Sequence, residues 1–289
     1  MLNQVGGTTG CSLADKRVEI AARIKQTGFN YSAFDKVLIT KCDLCGNNTF
    51  SLYAHMDRYG LPIRSLKCSC GLIFISPRLK PKDYNTFYLD WYRKLVDAFN
   101  GRGNGKEIVK YSMEHQANAM LKFLGEHLPN ELTIVNMLDV GGSEGIFAKK
   151  VCDTVGATGI VIDPNKIELD EALKKGLTTS LCQFEDYKTD RRFELISMLR
   201  TVEHLYSISK AFLKVHALLS DNGVLLFDIV NHEWLVRHFK DKTICTKIDH
   251  IYQLTDKTVR QYLTRFGFHV IGSTDKNERY ISYLCSKIS

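Results

Sequence analysis

The sequence predicts an α/β fold, a doubly wound Rossmann-like sheet preceded by a small cysteine-rich unit and a helical connector. Three observations carry that reading. From Thr133 onward, short apolar runs alternate with amphipathic stretches, which is the βαβ rhythm of a doubly wound sheet. Within it, Asn136-Met-Leu-Asp-Val-Gly-Gly-Ser-Glu-Gly-Ile-Phe147 reads as a strand, a glycine-rich turn and a helix N-terminus, where such folds bind nucleotide-like ligands. Ahead of it, four of the nine cysteines fall between positions 42 and 70.

Along the chain, residues 1–12 read as disordered, and a helix over 13–25 follows, with Val18, Ile20, Ala21 and Ile24 on its apolar side. Short β-like pieces, 49–53 and 72–75, flank the cysteines, and Pro77 and Pro81 mark the end of that unit. An aromatic-rich helical segment carrying Tyr84, Phe87, Tyr88, Trp91 and Tyr92 runs to Phe99. Gly101-Arg-Gly-Asn-Gly105 breaks it as the clearest flexible loop, and a helix over 106–126 ends before Pro129. Strands are then predicted at 134–140, 158–163, 178–182, 193–199 and 223–230, with helices at 144–154, 166–175 and 207–219. A helix near 257–265 and two strands, 268–271 and 280–285, close the chain. The domains expected are a tail and helix (1–40), the cysteine unit (41–80), a helical connector (81–130) and the ligand-binding domain (131–289).

At 289 residues the chain holds one large core plus a smaller unit, and 44% hydrophobic with 25% charged residues is ordinary for a globular protein. The net charge of +7 is spread over scattered pairs such as Lys149-Lys150, Lys174-Lys175 and Arg191-Arg192, which read as solvated faces. No Lys/Arg block interleaved with aromatics suggests a nucleic-acid surface, so no nucleic-acid partner is expected. The run Gly223-Val-Leu-Leu-Phe-Asp-Ile-Val230 is too short to span a bilayer, and residues 1–10 lack an apolar signal core, so a cytoplasmic protein without a membrane partner is expected. Cys152 and Cys182 lie in apolar segments and are expected to be reduced core residues.

Cys42-Asp-Leu-Cys45 is a knuckle whose turn aims both thiolates at one point, and Cys68-Ser-Cys70 supplies two more sulfurs. Four soft ligands in two close pairs suit a closed, tetrahedral zinc ion in a zinc-ribbon-like domain. Four cysteines leave no open position for substrate, so the Zn2+ is expected to be structural, contributing folding energy to a unit with little core. The second pair is C-x-C rather than C-x-x-C, a sterically tighter loop.

Gly141, Gly142, Ser143 and Gly145 form a turn that lets the backbone approach a ligand closely. Asp139, two residues before the first glycine, would repel a pyrophosphate and favour a cation, which points to S-adenosyl-L-methionine with its sulfonium and α-amino group. Asp163 ends the next predicted strand and can accept both ribose hydroxyls, or cap the following helix with Pro164 at its first position. Glu185 and Asp186 follow the third strand, where an acid accepts from an adenine amino group or simply lies in a surface turn.

Leu138-Asp-Val-Gly-Gly-Ser-Glu-Gly145 resembles the first motif of class I S-adenosylmethionine-dependent methyltransferases. Phe193-Glu-Leu-Ile-Ser-Met-Leu-Arg-Thr-Val-Glu-His-Leu205 and Ser220-Asp-Asn-Gly-Val-Leu-Leu-Phe-Asp-Ile-Val-Asn231 resemble the fourth and fifth strands of that group and the segments beside them. The resemblance implies the seven-stranded sheet of the methyltransferase type. Ser143 stands where the first motif usually has its middle glycine. The front of the chain, Cys42-x-x-Cys45, Cys70-Gly-Leu-Ile-Phe-Ile-Ser-Pro-Arg78, Phe87-Tyr88 and Tyr92, is similar to methyltransferases with an N-terminal zinc-binding domain, including C-methyltransferases of nucleotide-linked deoxysugars. That resemblance implies a small-molecule acceptor, a sugar and in particular a nucleotide-linked one, methylated on carbon or oxygen.

Methyl transfer requires nucleophile, methyl and sulfur in line, and a base for the nucleophile's proton. Glu203-His204 falls just after the fourth strand, beside the expected sulfonium, so His204 is the first candidate base and Glu203 its orienting partner or a cofactor contact. His250 resembles a second histidine of the sugar C-methyltransferase group, but Lys247 stands where that group has a tyrosine. Tyr88, Tyr92 and Asn231 are candidates for the substrate pocket, with aromatic packing the other role for the tyrosines, and His232 is a spare candidate. Two other readings remain at this level: an NAD-dependent oxidoreductase or epimerase, disfavoured by Asp139 and Ser143, and a nucleic-acid-binding zinc ribbon joined to a degenerate methyltransferase domain.

Overall fold

The computed structural model describes residues 13–101 and 106–288. The expected disorder of 1–12 and most of the 101–105 loop lie outside the described residues. Helix α1 (Leu13–Gln26) leads to a short strand β1 (Lys36–Val37), then β2 (Phe50–Ala54), β3 (Ser65–Cys68), β4 (Ile73–Ile75) and β5 (Arg78–Leu79). Three helices follow, α2 (Pro81–Asp90), α3 (Tyr92–Asn100) and α4 (Lys106–His127). The alternating part comprises β6 (Asn136–Val140), α5 (Ile146–Val155), β7 (Thr158–Asp163), α6 (Lys166–Lys174), β8 (Thr178–Leu181), β9 (Phe193–Met198), α7 (Ile208–Leu218) and β10 (Leu219–Val230). The chain ends with α8 (His232–Phe239), β11 (Tyr252–Gln253), α9 (Asp256–Arg265), β12 (Phe268–Ser273) and β13 (Tyr280–Lys287).

The seven-stranded sheet has the order β12-β13-β10-β9-β6-β7-β8. Strands β10, β9, β6, β7 and β8 are parallel, whereas β13 runs antiparallel to both β10 and β12. The sheet is therefore mixed rather than wholly parallel. Strands β6 and β9 are almost fully buried, as apolar runs covered by helices on both faces must be. Two cores result. Met120, Phe123 and Leu124 of α4 pack with α5 and one face of the sheet, while α7, α9 and the whole cysteine unit pack on the other. Helix α4 thus belongs to the sheet's own layers, although its sequence reads as part of a connector.

The cysteine unit is a four-stranded sheet of order β11-β4-β3-β2. Its outer strand is β11, from far along the chain, paired antiparallel to β4 as Tyr252 opposite Phe74 and Gln253 opposite Ile73. The small sheet is therefore completed by the large domain. Helix α1 turns Ile24 inward, but Val18 is 71% exposed and Ala21 is exposed too, so its apolar stripe is narrower than its periodicity suggests. Arg23 fastens α1 to the end of α3 by donating from Nε to the Ala98 carbonyl at 2.6 Å. No helix among the described residues is long and apolar enough to cross a membrane.

Candidate active site

The glycine turn after β6 is shaped by close approach. Gly141 has a φ of 68°, and a side chain there would strike the Thr201 hydroxyl. A Cβ on Gly142 would lie 2.5 Å from the Asp139 carboxylate, so both positions exclude any larger residue. Gly145 has a φ of 69°, and Ser143 adopts the same left-handed region at 53°. The Ser143 hydroxyl hydrogen-bonds the Glu168 carboxylate, which also accepts from Arg93 Nη2 at 2.8 Å. That chain of contacts joins α3 to the glycine turn and was not legible from local spacing.

Asp139 is buried beneath the turn and accepts from Ser197 Oγ at 2.6 Å. Burial pushes its carboxyl up to about 7. It lies as a strut under Gly142, buried behind the turn across which it was expected to face a cationic ligand. Asp163 reaches the cleft and accepts backbone hydrogens from Asn165 at 2.8 Å and Ser143 at 3.1 Å. Burial raises it to about 6. The cap of α6 is Asn165, whose side chain accepts from the Ile167 N–H, so Asp163 is not the capping residue.

These residues border a cleft of ≈ 530 Å³, counted with its open mouth. Val140, Gly141, Ile162 and Asp163 form one wall; Arg200, Thr201, His204 and Leu205 form another; Tyr84 and Tyr88 come down from α2. Beyond β8 the wall is Cys182, Gln183 and Phe184. Two expectations change here. Glu185 is exposed and accepts from the Tyr206 N–H, and Asp186 is exposed, so Gln183 and Phe184 take the place predicted for an acid. Cys182, half-buried against the core, also lines the cleft. Arg200, unanticipated, has a φ of 54°; its N–H and Nε bind the buried Asp228 at 2.6 and 2.9 Å, and its guanidinium lies 3.5 Å over the Tyr280 ring.

His204 sits in a single 3-10 turn, Val202–His204, where the cleft meets α2 and α3. Its Nδ1 is 2.6 Å from the Asp249 carbonyl. A carbonyl only accepts, so Nδ1 carries the hydrogen and Nε2 keeps its lone pair while the ring is neutral. Burial lowers the ring to about 4, outweighing the Asp249 carboxylate, so it is neutral near pH 7. The His250 ring lies 4.7 Å away edge-on, and the Tyr88 and Tyr92 rings pack at 5.5 and 6.3 Å. Burial, then Lys247, drives His250 well below its ordinary value. Four predicted residues are thus brought together.

Lys247 is half-buried beside them, with Nζ 2.6 Å from Asp249 Oδ2. That oxygen makes no well-directed hydrogen bond, so the contact is an ion pair formed off the hydrogen-bonding axis. His204, Asp249 and His250 bring potential ligand atoms within 4.8 Å of one another. The Lys247 ammonium already supplies the positive charge there. Burial is opposed by Lys247 and His204, and the Asp249 carboxyl stays below its usual range.

Three other candidates are placed elsewhere. Glu203 does not orient His204; its Oε1 accepts from the Val230 N–H and its Oε2 is buried without a partner. Asn231 is fully buried, caps α8 through Oδ1, and donates from Nδ2 to the Lys276 and Glu278 carbonyls, both at 2.9 Å. Its amide is fully engaged, which removes it from the substrate pocket. His232 pairs through Nε2 with the Tyr53 hydroxyl at 2.8 Å.

Cys42, Cys45, Cys68 and Cys70 converge with their sulfurs within 4.8 Å of one another. The Cys42–Cys70 and Cys45–Cys68 separations are 3.7 and 3.5 Å. A tetrahedron with zinc–sulfur bonds of about 2.3 Å has edges of about 3.8 Å, so the donor set fits zinc. Each loop is closed by a glycine N–H, Gly46 onto the Cys42 carbonyl and Gly71 onto the Cys68 carbonyl. The C-x-C spacing is accommodated because Gly71 adopts a φ of 103° immediately after Cys70.

Comparison with known proteins bears on the fold and the family. The family described as methyltransferase domain matches residues 89–272, more than half of the chain, and the chain belongs to that family. It is an S-adenosylmethionine-dependent methyltransferase. Its fold is similar to magnesium protoporphyrin IX methyltransferase from Synechocystis PCC 6803 with bound S-adenosylhomocysteine, at 11% identity over 72% of this chain and 100% of that one, with a TM-score of 0.54. It is also similar to the plantazolicin methyltransferase BpumL, at 12% identity over 71% and 94% of the two chains and a TM-score of 0.52. A methyltransferase from Clostridium acetobutylicum ATCC 824 matches at 16% identity over 71% and 99%, with a TM-score of 0.50. No curated protein matches the sequence.

Glu203 gives a pH prediction. Burial raises its carboxyl from 4.5 to about 7. A raised folded-state pKa contributes stability that is present below 4.5 and lost as pH rises through about 7. Glu203→Gln removes that loss and still accepts from Val230, so the variant should gain on the parent by roughly 1–3 kcal/mol between pH 4.5 and 7 in denaturant titrations.

Proposed function

We propose that the chain methylates a small polar acceptor held between the α2–α3 tyrosines and the two histidines, with His204 as the general base. The observation that carries this is the His204–Asp249 contact, which leaves Nε2 as an acceptor in a ring that lines the cleft. Bound S-adenosyl-L-methionine supplies an electrophilic methyl group. The bare turn of Gly141 and Gly142 gives it backbone-close room, and Asp163 accepts from its ribose hydroxyls. Tyr84 and Tyr88 cover the cleft and exclude water.

The acceptor we favour is a sugar hydroxyl, in a nucleotide-linked sugar as the resemblance of the N-terminal half implies. With Nδ1–H held on the Asp249 carbonyl, the neutral ring offers Nε2 to a hydroxyl. That hydroxyl's proton becomes acidic as its oxygen bonds to methyl. Lys247, in place of the tyrosine of the carbon-methylating group, agrees with oxygen as the nucleophile. The cysteine cluster is assigned a structural Zn2+, which stiffens the sheet that β11 completes.

Asp163→Ala should weaken S-adenosylmethionine binding by about 1–3 kcal/mol in calorimetry; unchanged affinity removes Asp163 from the site. In assays of labelled methyl transfer to nucleotide-sugars, His204→Gln should lose about 10²-fold or more in rate while still binding S-adenosylhomocysteine. Full activity in that variant removes the base. Freshly purified protein should hold about one zinc per chain, lost when Cys42 and Cys45 are both changed to Ser, and metal analysis without zinc contradicts the assignment.

A further inference from the structure

We infer that Asp43, inside the Cys42–Cys45 knuckle, is a positioning residue for His204. It rests on the reading of His204 as the base. Asp43 lies in the cysteine unit, but its side-chain hydrogen bonds run to the methyltransferase part. Oδ1 accepts from Ser207 Oγ at 2.6 Å, and Oδ2 accepts from the Ser209 N–H and the Tyr262 hydroxyl, both at 2.9 Å. The Asp43 carbonyl accepts from Ser209 Oγ, and the neighbouring Leu44 carbonyl accepts from Arg265. The knuckle therefore grips the first turn of α7 and, through buried Tyr262 and exposed Arg265, helix α9 together.

His204 is three residues upstream of that grip. Around it the backbone makes the short bonds of the 3-10 turn, His204 N–H to the Thr201 carbonyl at 2.9 Å and Leu205 N–H to the Val202 carbonyl at 3.4 Å, and then the Tyr206 N–H donates to Glu185 at 3.0 Å while its carbonyl accepts from the Tyr252 hydroxyl at 3.2 Å. Tyr206 is held by outside groups as well: its hydroxyl donates to the Leu79 carbonyl at 3.1 Å, and Arg78 lies 4.1 Å over its ring. The stretch carrying His204 is thus fixed at its far end by Asp43. The chemistry demands a carboxylate. All three groups facing it donate, and an amide that kept its oxygen on Ser209 and Tyr262 would have to turn its N–H onto Ser207 Oγ, reversing a hydroxyl that already accepts from Lys210 and losing the charge. Ser207 also caps α7 by accepting from the Lys210 N–H, so Asp43 sets the direction of the hydroxyl that starts the helix.

The test is Asp43→Asn in the full chain, read by amide hydrogen exchange and by the imidazole ¹⁵N spectrum of histidine-labelled protein. Exchange over residues 201–210 should rise about tenfold or more, with residues 158–175 unchanged. The His204 signals should move from a fixed Nδ1–H form toward tautomer averaging. Ser209→Ala, which loosens the grip from the α7 side and leaves the cysteine loop intact, should shift both readouts the same way by a smaller factor. It carries the test if Asp43→Asn does not fold. Unchanged exchange and unchanged His204 signals overturn the inference. If both readouts move while His204→Gln keeps full methyl transfer, the positioning stands and the base assignment falls.

Discussion

One carbonyl oxygen, that of Asp249, organises the active site. It accepts from His204 Nδ1 at 2.6 Å and from the Tyr84 hydroxyl at 2.8 Å. A single acceptor thereby joins the segment after β9, the aromatic helix α2 and the loop before β11. Inside a buried site such a bond is costly to break, because each donor would be left without water or partner. The same bond selects the tautomer that leaves Nε2 without a hydrogen. Electrostatics reinforce it: Lys247 neutralises the Asp249 carboxylate, while burial keeps both imidazoles uncharged.

That carbonyl is in place only because the two parts of the chain are interwoven. Strand β11 follows Asp249 and His250 directly and pairs with β4 of the cysteine unit. Deeper in the same interface, the Asp57 carboxylate accepts from the Ile248 N–H at 3.0 Å. The unit with little core of its own borrows a strand, and the loop bearing the histidine is held rigidly in return. The four converging cysteines sit at the base of this arrangement, as donors that would suit a closed metal centre.

Much of this was legible in short-range pattern. The glycine turn, the acid ending the next strand, the paired cysteines and His204 each announce themselves by local spacing; Gly141, Asp163 and His204 border one cleft and the four cysteines converge. What escaped is tertiary. Glu168 and Arg93, Arg200 and Asp228, and the borrowed β11 meet only across long sequence separations. Local position also misled. Asn231 and Glu203 lie at strand ends where ligands bind, yet backbone donors and acceptors claim them first. Glu185 reads as an adenine contact, but the chain turns it outward onto Tyr206. A capping or bracing role and a ligand role use the same residue types at the same positions, so only packing separates them.

A crystal structure of the S-adenosylhomocysteine complex tests the central claim most directly. The account predicts the ribose on Asp163, the homocysteine over Gly141 and Gly142, and the sulfur facing Nε2 of a His204 still bonded to the Asp249 carbonyl. A sulfur directed away from His204, or a His204 ring turned so that Nε2 meets that carbonyl, would contradict it.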